Sequence, residues 1–519
     1  MPSPQKETLQ KGEKNVSTKY LKNFKGVYTK ATRVAIPEDS FYDLVNMMPI
    51  GAANLHSIPD ISSALVDYST DTIYWIEYAN INSTDYLISF ATNGKVFAYN
   101  IGSNTNTQIN AGHLLSGGGS RMDQWKNQYI LFFDTNGYYS WDGTTFSAAI
   151  TGGIIPGSPS SPDIAVFSNR VWLYSGRALY VSAINSITDF TLVSGAITQN
   201  ITDPQLRGES TRLFSANGYL YILGKSSIFV ISDVYIPTGA SPPAPVFSIL
   251  NVQAIIGCDN PASVFVFNRD LCFANSYGFW KLTGVTAEKI SDDIDGTFQY
   301  LDTTFPISGG SPKVNGILQA SFLMKQANDP AVGTRVIVAS VFDKKWWFTN
   351  YGALTFVATG IKSNQPILFG LLGNKLYQLY QNTNSGPACS WQTALWPMED
   401  QIADKEVFRA GFEMTIQQLG ASLSLNIDTP NTSTPFLTSA ALGTVQWANN
   451  SSQIVQWQNN LLVNVGWYTS NYLLYYGDAG GAFGRYVGLS GSLGAGSILE
   501  VNSMIMDYSL RTRWSASNR

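Results

Sequence analysis

Short runs of apolar and aromatic residues, broken by turn residues, repeat along most of this chain. DTIYWIEY (71–78) has strand composition. YLISFATNGKVFAYN (86–100) reads as two strands joined at Asn93-Gly94, and YILFFDTNGYYSWDG (129–143) repeats the plan with Asn136-Gly137 and Asp142-Gly143. RVWLYSGRALYVS (170–182) turns at Ser175-Gly176, and LFSANGYLYILGKSSIFVIS (213–232) at Asn217-Gly218 and Gly224-Lys225. LCFANSYGFWKLTG (271–284) and QPILFGLLGNKLYQLYQ (365–381) follow. Asn-Gly and Asp-Gly between apolar runs signal hairpins, because both central residues of a type I′ turn need positive φ. The hairpins recur about every 40 to 50 residues, the spacing of four-stranded propeller blades, although no WD or kelch signature appears. Residues 51–395 are therefore expected to form a β-propeller of six or seven blades, with a stack of β-sandwiches as the rival.

After GPACSWQTALWPMEDQ (386–401) the pattern changes. EVFRAGFEMTI (406–416), ASLSLNID (421–428), QIVQWQ (453–458), YVGLSGSL (486–493) and SILEVNSMIMDYSLRTRW (497–514) read as strands, some long. They predict a separate antiparallel β-sandwich over 396–519. Residues 1–50 form a basic arm and a lead-in segment. TGGIIPGSPSSPD (151–163) and PTGASPPAPVF (237–247) read as linker or exposed loop, and VTAEKISDDID (285–295) has room for one helical turn.

Composition narrows the class. Of 519 residues, 44% are apolar, which is enough for a large core and excludes disorder as the main state. Charged residues are only 13%, about half the usual ~25%, against a coiled coil. Three cysteines, Cys258, Cys272 and Cys389, exclude a disulfide scaffold and fit synthesis in a reducing cytosol. No apolar run reaches membrane-spanning length, and the N-terminus lacks a signal-peptide core. Residues 1–33 hold eight Lys or Arg against two Glu, a net of +6, whereas the rest has 24 basic and 34 acidic residues, a net of −10. The arm could meet phosphate or an acidic partner, or simply be solvated. Lys6, Lys11, Lys14, Lys19, Lys22 and Lys25 are its candidate partner-docking residues.

The catalytic and metal signatures are incomplete. Gly224-Lys225-Ser226 resembles the end of a P-loop, but Tyr219 stands where the first glycine should be and the segment lies in a hairpin. Gly488-Leu489-Ser490-Gly491-Ser492 lacks the last glycine of a nucleophile elbow. A Ser triad would have to recruit His56 or His113, the only histidines. Ser291, Asp293, Asp295, Gly296 and Asp302 align to a calcium loop without its first Asp or its last Glu. Ser140-Trp141-Asp142-Gly143 falls one residue short of a sialidase-type repeat, and Asp163, Asp203 and Glu209 have no evident partner for glycoside hydrolysis. Trp346-Trp347-Phe348 could stack on a base or a sugar, but core packing explains it more simply. No catalytic residue, metal ligand or cofactor is expected.

Four stretches resemble the tail hub or nozzle proteins of short-tailed bacteriophages, including tail tubular protein B and packaged-DNA stabilisation proteins. The first runs from Phe24-Lys25-Gly26-Val27 to Asn46. The second comprises Arg170-Val171-Trp172, Leu179-Tyr180-Val181-Ser182 and Ser186-Ile187-Thr188-Asp189-Phe190. The third comprises Leu220–Lys225, Ile228-Phe229-Val230, Ser276-Tyr277-Gly278-Phe279-Trp280 and Ile290-Ser291. The fourth comprises Gly484-Arg485-Tyr486, Met506-Asp507-Tyr508, Arg511 and Trp514. The resemblance implies a non-enzymatic virion component made in the host cytoplasm. It implies a ring, commonly a hexamer, around the DNA channel. It also implies contacts with an adaptor or portal-side protein and a tail fibre or spike, and passage of viral DNA without sequence-specific binding. An acidic body suits a channel that lets a phosphate polymer slide. The alternatives are a host-surface glycan-binding or glycan-cleaving propeller and a cytosolic scaffold propeller.

Overall fold

The computed structural model describes residues 16–51, 54–208, 210–253, 255–416 and 472–511 apart from 497, with short strands between 422 and 465. It divides into two compact units, Ile58–Thr383 and a discontinuous one made of Met1–Ser57 with Asn384–Arg519.

The first unit is a β-propeller of consecutive antiparallel sheets. Six separate sheets begin with the inner strands Ile73–Ile81, Arg121–Trp125, Asp163–Phe167, Ser210–Ala216, Phe265–Phe267 and Leu354–Lys362. The four-strand run that begins at Ser308–Gly310 lies between the last two of these and serves as the sixth blade. Inner strands lie side by side from the first blade to the fourth and from the fifth to the last, the fourth and fifth blades share a core that includes Tyr221, Leu223, Leu271 and Phe273, and Leu354–Lys362 returns to Ile73–Ile81, which closes the ring. In the last blade the outer strand is Val66–Asp67 from the unit's own beginning, paired with Lys375–Gln378 in the register Leu376↔Val66. The Lys375–Asp67 ion pair of 3.1 Å adds to this closure.

Alternating strand positions bury aromatics between blades, as the strand composition predicts. Trp172 lies against Phe167 and, edge-on at 4.9 Å, against Phe247. Phe279 stacks on Phe322 with centroids 4.0 Å apart and on Trp346 at 5.7 Å. Trp346, Trp347 and Phe348 are fully buried. Glycine matters where inner strands touch. A Cβ on Gly310 would stand 2.3 Å from the Thr359 hydroxyl, so the sixth and seventh inner strands can approach only with hydrogen at that position.

The hairpin signals are only partly the ones that the sequence displays. Asn217-Gly218 has both central φ values positive, but at Asn93-Gly94, Asn136-Gly137 and Asp142-Gly143 only the glycine does. Other two-residue turns with two positive φ values contain no glycine: Asn82-Ser83, Ser168-Asn169, Asn268-Arg269, Asp343-Lys344 and Ser363-Asn364. The twist of tightly paired flanking strands imposes this conformation whether or not the residue favours it. Lys344, exposed at φ 60°, is such a case. Lys344→Gly is expected to stabilise the protein by about 0.5–1 kcal/mol in urea unfolding, because the left-handed strain is relieved.

The second unit contains two antiparallel sheet systems, both built from the two ends of the chain. In one, Met47–Ile50 and Asn54–Ser57 lead to Leu499–Leu510, Lys405–Ile416 and Tyr472–Gly484, with Ser17–Leu21 also paired to Leu499–Leu510. In the other, the order is Phe41–Val45, Cys389–Thr393, Val487–Leu493, Ser422–Ile427 and Ser433–Thr438. The lead-in segment is thus part of this unit. Phe24 and Phe41 are fully buried and face each other at 5.8 Å, and the Asn46 amide donates to the Ala388 carbonyl at 2.7 Å. Residues 285–295 hold the strand Thr286–Lys289 and a 3-10 turn, and the helical turn Asp295–Phe298 follows.

Candidate functional site

The inner strands of a propeller run in one direction around its axis, so equivalent positions form layers across the channel. The inner strands of the first four blades carry charge: Glu77 in the first, Arg121 and Asp123 in the second, Asp163 in the third and Arg212 in the fourth. Arg212 is 4% exposed and Asp163 3%.

These groups close on one another. Arg212 donates to Glu77 and lies 3.8 Å from an Asp163 oxygen. Two guanidiniums lie over the Trp75 ring, Arg121 at 4.2 Å and Arg212 at 5.3 Å, and its indole N–H donates to Glu77 at 3.2 Å. The face of the indole carries the negative potential that attracts a cation. The carboxylates also tie blade to blade. Asp123 accepts the Val166 N–H of the third blade at 2.6 Å and its neighbour Gln124 N–H at 2.6 Å. Asp163 accepts the Leu213 N–H of the fourth blade and the Ile164 N–H at 2.9 Å. The Gln124 side chain accepts the Asn80 N–H of the first blade at 2.8 Å. Hydroxyls do the same elsewhere: Ser308 accepts from Val357 N–H at 2.9 Å and Thr359 from Ser311 N–H at 2.6 Å.

Burial sets the proton affinities. It holds the Asp163 carboxyl above the usual range, against the pull of Arg212 and Arg121. It lifts Asp123 to about 7, although the two backbone N–H donors favour its anion. Burial opposes the Arg212 charge too, but Glu77 and Asp163 outweigh it, and the guanidinium stays ionised. Arg121 is lowered, chiefly by burial. A carboxyl whose folded value lies above its unfolded one is held protonated by the fold, so its contribution is present at acid pH and declines as pH rises. Relative to Asp123→Asn, the wild type is expected to lose unfolding free energy between about pH 4 and 7. The rise from 3.8 to about 7 sets an upper bound of roughly 4 kcal/mol. Equal pH slopes for the two proteins would show that this carboxyl does not titrate in that range.

Two cavities flank this charged layer. Along each inner strand the earlier residues, such as Gly119, Arg121, Asp163 and Thr211, line one of about 430 Å³. The later ones, such as Glu77, Asp123, Gln124 and Leu213, line the other of about 540 Å³, with Phe265 and Phe356. Glu77 and Asp123 share the larger cavity, which is the juxtaposition a glycosidase would use. Their oxygens, however, are engaged by Arg212, Trp75 and backbone N–H groups. The arrangement suits holding a ring shut better than moving a proton.

The residues singled out by sequence fall elsewhere. Gly224-Lys225-Ser226 is the turn between two strands of the fourth blade, closed by Gly224 N–H to Ser227 carbonyl at 2.8 Å. Ser490 lies in the strand Val487–Leu493, His56 in the strand Asn54–Ser57, and His113 is exposed in a loop. In the calcium-like stretch, Lys289 pairs with Asp295 at 2.6 Å and Ser291 accepts the Phe279 N–H, while Asp302 pairs with Lys325 at 2.9 Å. Among the described residues no cluster of His, Cys, Asp or Glu could hold a metal ion. All three cysteines are buried, and burial pushes each thiol up to about 12. Asp203 accepts Gln205 N–H at 2.8 Å, and Glu209 lies outside the described residues. So do Lys6, Lys11 and Lys14. Lys19 pairs with Glu38, Lys25 with Asp39 at 2.8 Å, and Lys22 lies over Tyr20 at 4.9 Å. No helix among the described residues is long and apolar enough to cross a membrane.

Sequence reasoning missed Glu77, Arg121, Asp123 and Arg212. For Glu77 the signal was a charge inside an otherwise apolar strand run, IYWIEY; RMDQW, which holds Arg121 and Asp123, carries no such signal.

Comparison with known proteins gives fold likeness only. No protein-family profile matches the chain, and no curated protein does. Among solved structures, it is similar to the WD40 repeats of RRP9, with a TM-score of 0.41 and 12% identity over 62% of this chain and 99% of the other. It is also similar to U3-55K, with 0.39 and 12% over 62% and 98%. A third likeness is to BBS1N, crystallised in complex with ARL6DN, with 0.37 and 8% over 63% and 97%.

Proposed function

We propose that this chain is a non-enzymatic building component of a bacteriophage tail, working as a ring of copies around the DNA channel. The observation that carries the reading is the placement of the residues that resemble tail hub and nozzle proteins. Many of them are framework residues, and Trp514 lies outside the described residues. Arg170, almost fully buried, donates to the carbonyls of Ser182, Gly195 and Pro243, and so fastens the third blade to the long 237–247 loop. The Ser186 hydroxyl accepts Asp189 N–H at 2.9 Å, and the Tyr138 hydroxyl of the second blade donates to Ile187 carbonyl at 2.9 Å. The first and fourth stretches, from opposite ends of the chain, share one unit. There Lys405, fully buried, donates to the Arg485 carbonyl at 2.8 Å, and Arg511 pairs with Glu406 at 3.2 Å.

Within one propeller, Trp75, Arg121 and Arg212 of the first, second and fourth inner strands meet one another. In this reading DNA passes between copies, through a channel with a neutral to acidic wall, and the basic arm meets a neighbouring copy or the adaptor. Phage particles made without this chain are expected to fill with DNA and then lose it, which nuclease sensitivity of purified particles measures. Stable, infectious particles lacking the chain would overturn the reading. Removal of residues 1–23 is expected to block tail assembly, and normal assembly would reject the role given to the arm.

A further inference from the structure

The smaller axial cavity is built for a negative charge. Its wall comes from loops that enter the second, third, fourth and fifth blades, together with one hairpin turn of the fourth. Three cations reach it: Arg121, Arg207 and Lys225. Among the described residues the acid in the wall is Asp163, which has both oxygens committed to backbone N–H groups and lies beside Arg212. Arg121 uses one nitrogen on the Ser120 carbonyl at 3.0 Å and lies over the Trp75 ring. A guanidinium in a cavity wall forms strong, charge-assisted hydrogen bonds to an oxyanion.

The cations are held in place. The turn that carries Lys225 rests on Gly257, where a Cβ would stand 2.2 Å from the Gly224 carbonyl oxygen and 2.5 Å from the Ser226 nitrogen. Cys258 N–H donates to that carbonyl at 2.9 Å, and Thr211 bonds the Cys258 carbonyl at 2.6 Å. Arg207 and Lys225 are themselves exposed, so the cavity has a wet, charged rim over a part-buried guanidinium. The hydroxyl-bearing residues Ser161, Ser210 and Thr211 line the wall between them.

We infer that this cavity binds the carboxylate or phosphate group of a small molecule, with Arg121 at the base and Arg207 and Lys225 at the rim. A volume of about 430 Å³ admits a group the size of a sugar acid or a sugar phosphate. The site is separate from the ring-forming role proposed above and does not depend on it. Isothermal titration calorimetry on the full-length protein at low chloride tests it, with inorganic phosphate, glucose 6-phosphate and glucuronate as probes and glucose as the neutral control. At least one anion is expected to bind below about 1 mM and glucose not to bind. Whether phosphate or glucuronate binds more tightly identifies the group. The double variant Arg207→Ala/Lys225→Ala changes only exposed side chains and is expected to weaken binding at least tenfold with unchanged unfolding. Arg121→Gln is expected to abolish it. No anion binding at 10 mM, or binding that survives Arg207→Ala/Lys225→Ala unchanged, would overturn the inference.

Discussion

Arg212→Met is expected to destabilise the propeller by about 3–5 kcal/mol, read from urea or thermal unfolding. The cost does not come from lost packing, since methionine nearly fills the space. It comes from Asp163, which stays buried, and Glu77, which stays part-buried, after their shared cation is gone. Neither acid has a second cation in ion-pair contact among the described residues. Two outcomes separate this cause from simple cavity formation. First, the loss should shrink toward acid pH, where both carboxyls can take up protons at less cost than in the middle of the pH range. Second, Glu77→Gln in the Arg212→Met background should recover part of the loss, because it removes one of the stranded charges. A pH-independent loss of about 1 kcal/mol would mean that solvent reaches this layer freely.

Trp172→Ala should cost about as much, 3–5 kcal/mol, for a different reason. Trp172 is fully buried in the third blade, donates from its indole N–H to Phe167 carbonyl at 3.0 Å, and meets Phe247 edge-on. Truncation leaves a cavity and removes one hydrogen bond from the Phe167 carbonyl. It also unseats Phe247, the aromatic end of the loop that Arg170 grips through Pro243. Faster proteolysis within 237–247 should therefore accompany the lost stability, whereas Arg212→Met should leave that loop protected. Trp172→Phe, which keeps most of the ring contact, should recover more than half of the loss.

The propeller was legible because it is a local pattern. Each blade is a meander of short strands, and runs such as YILFFDTNGYYSW contain both their strands and their turn. The aromatics were read rightly as packing: Trp346, Trp347 and Phe348 lie inside the sixth blade. The turns were harder. Asp343-Lys344 and Asn268-Arg269 take left-handed conformations that their residue types do not advertise, because the flanking strands dictate the twist. The lead-in segment was hardest of all. Residues 17–57 pair with strands that lie more than three hundred positions away, as in Ser17↔Tyr508 and Phe41↔Thr393, and nothing local announces such a partner. The charged layer failed for the same reason. Glu77, Arg121, Asp123, Asp163 and Arg212 meet only because four blades converge on an axis. Asp163 therefore read as an unpaired carboxylate, although it joins two blades and faces an arginine.

A molecule stiffened in this way, with its carboxylates spent on closing a ring, is suited to being a wall. The measurement that bears most directly on that claim is the native mass of the full-length protein, taken together with images of tails in which it is labelled. The account predicts a closed ring of copies, commonly six, encircling the channel of the particle. A protein that stays a single copy at every concentration and is found in no particle would contradict it.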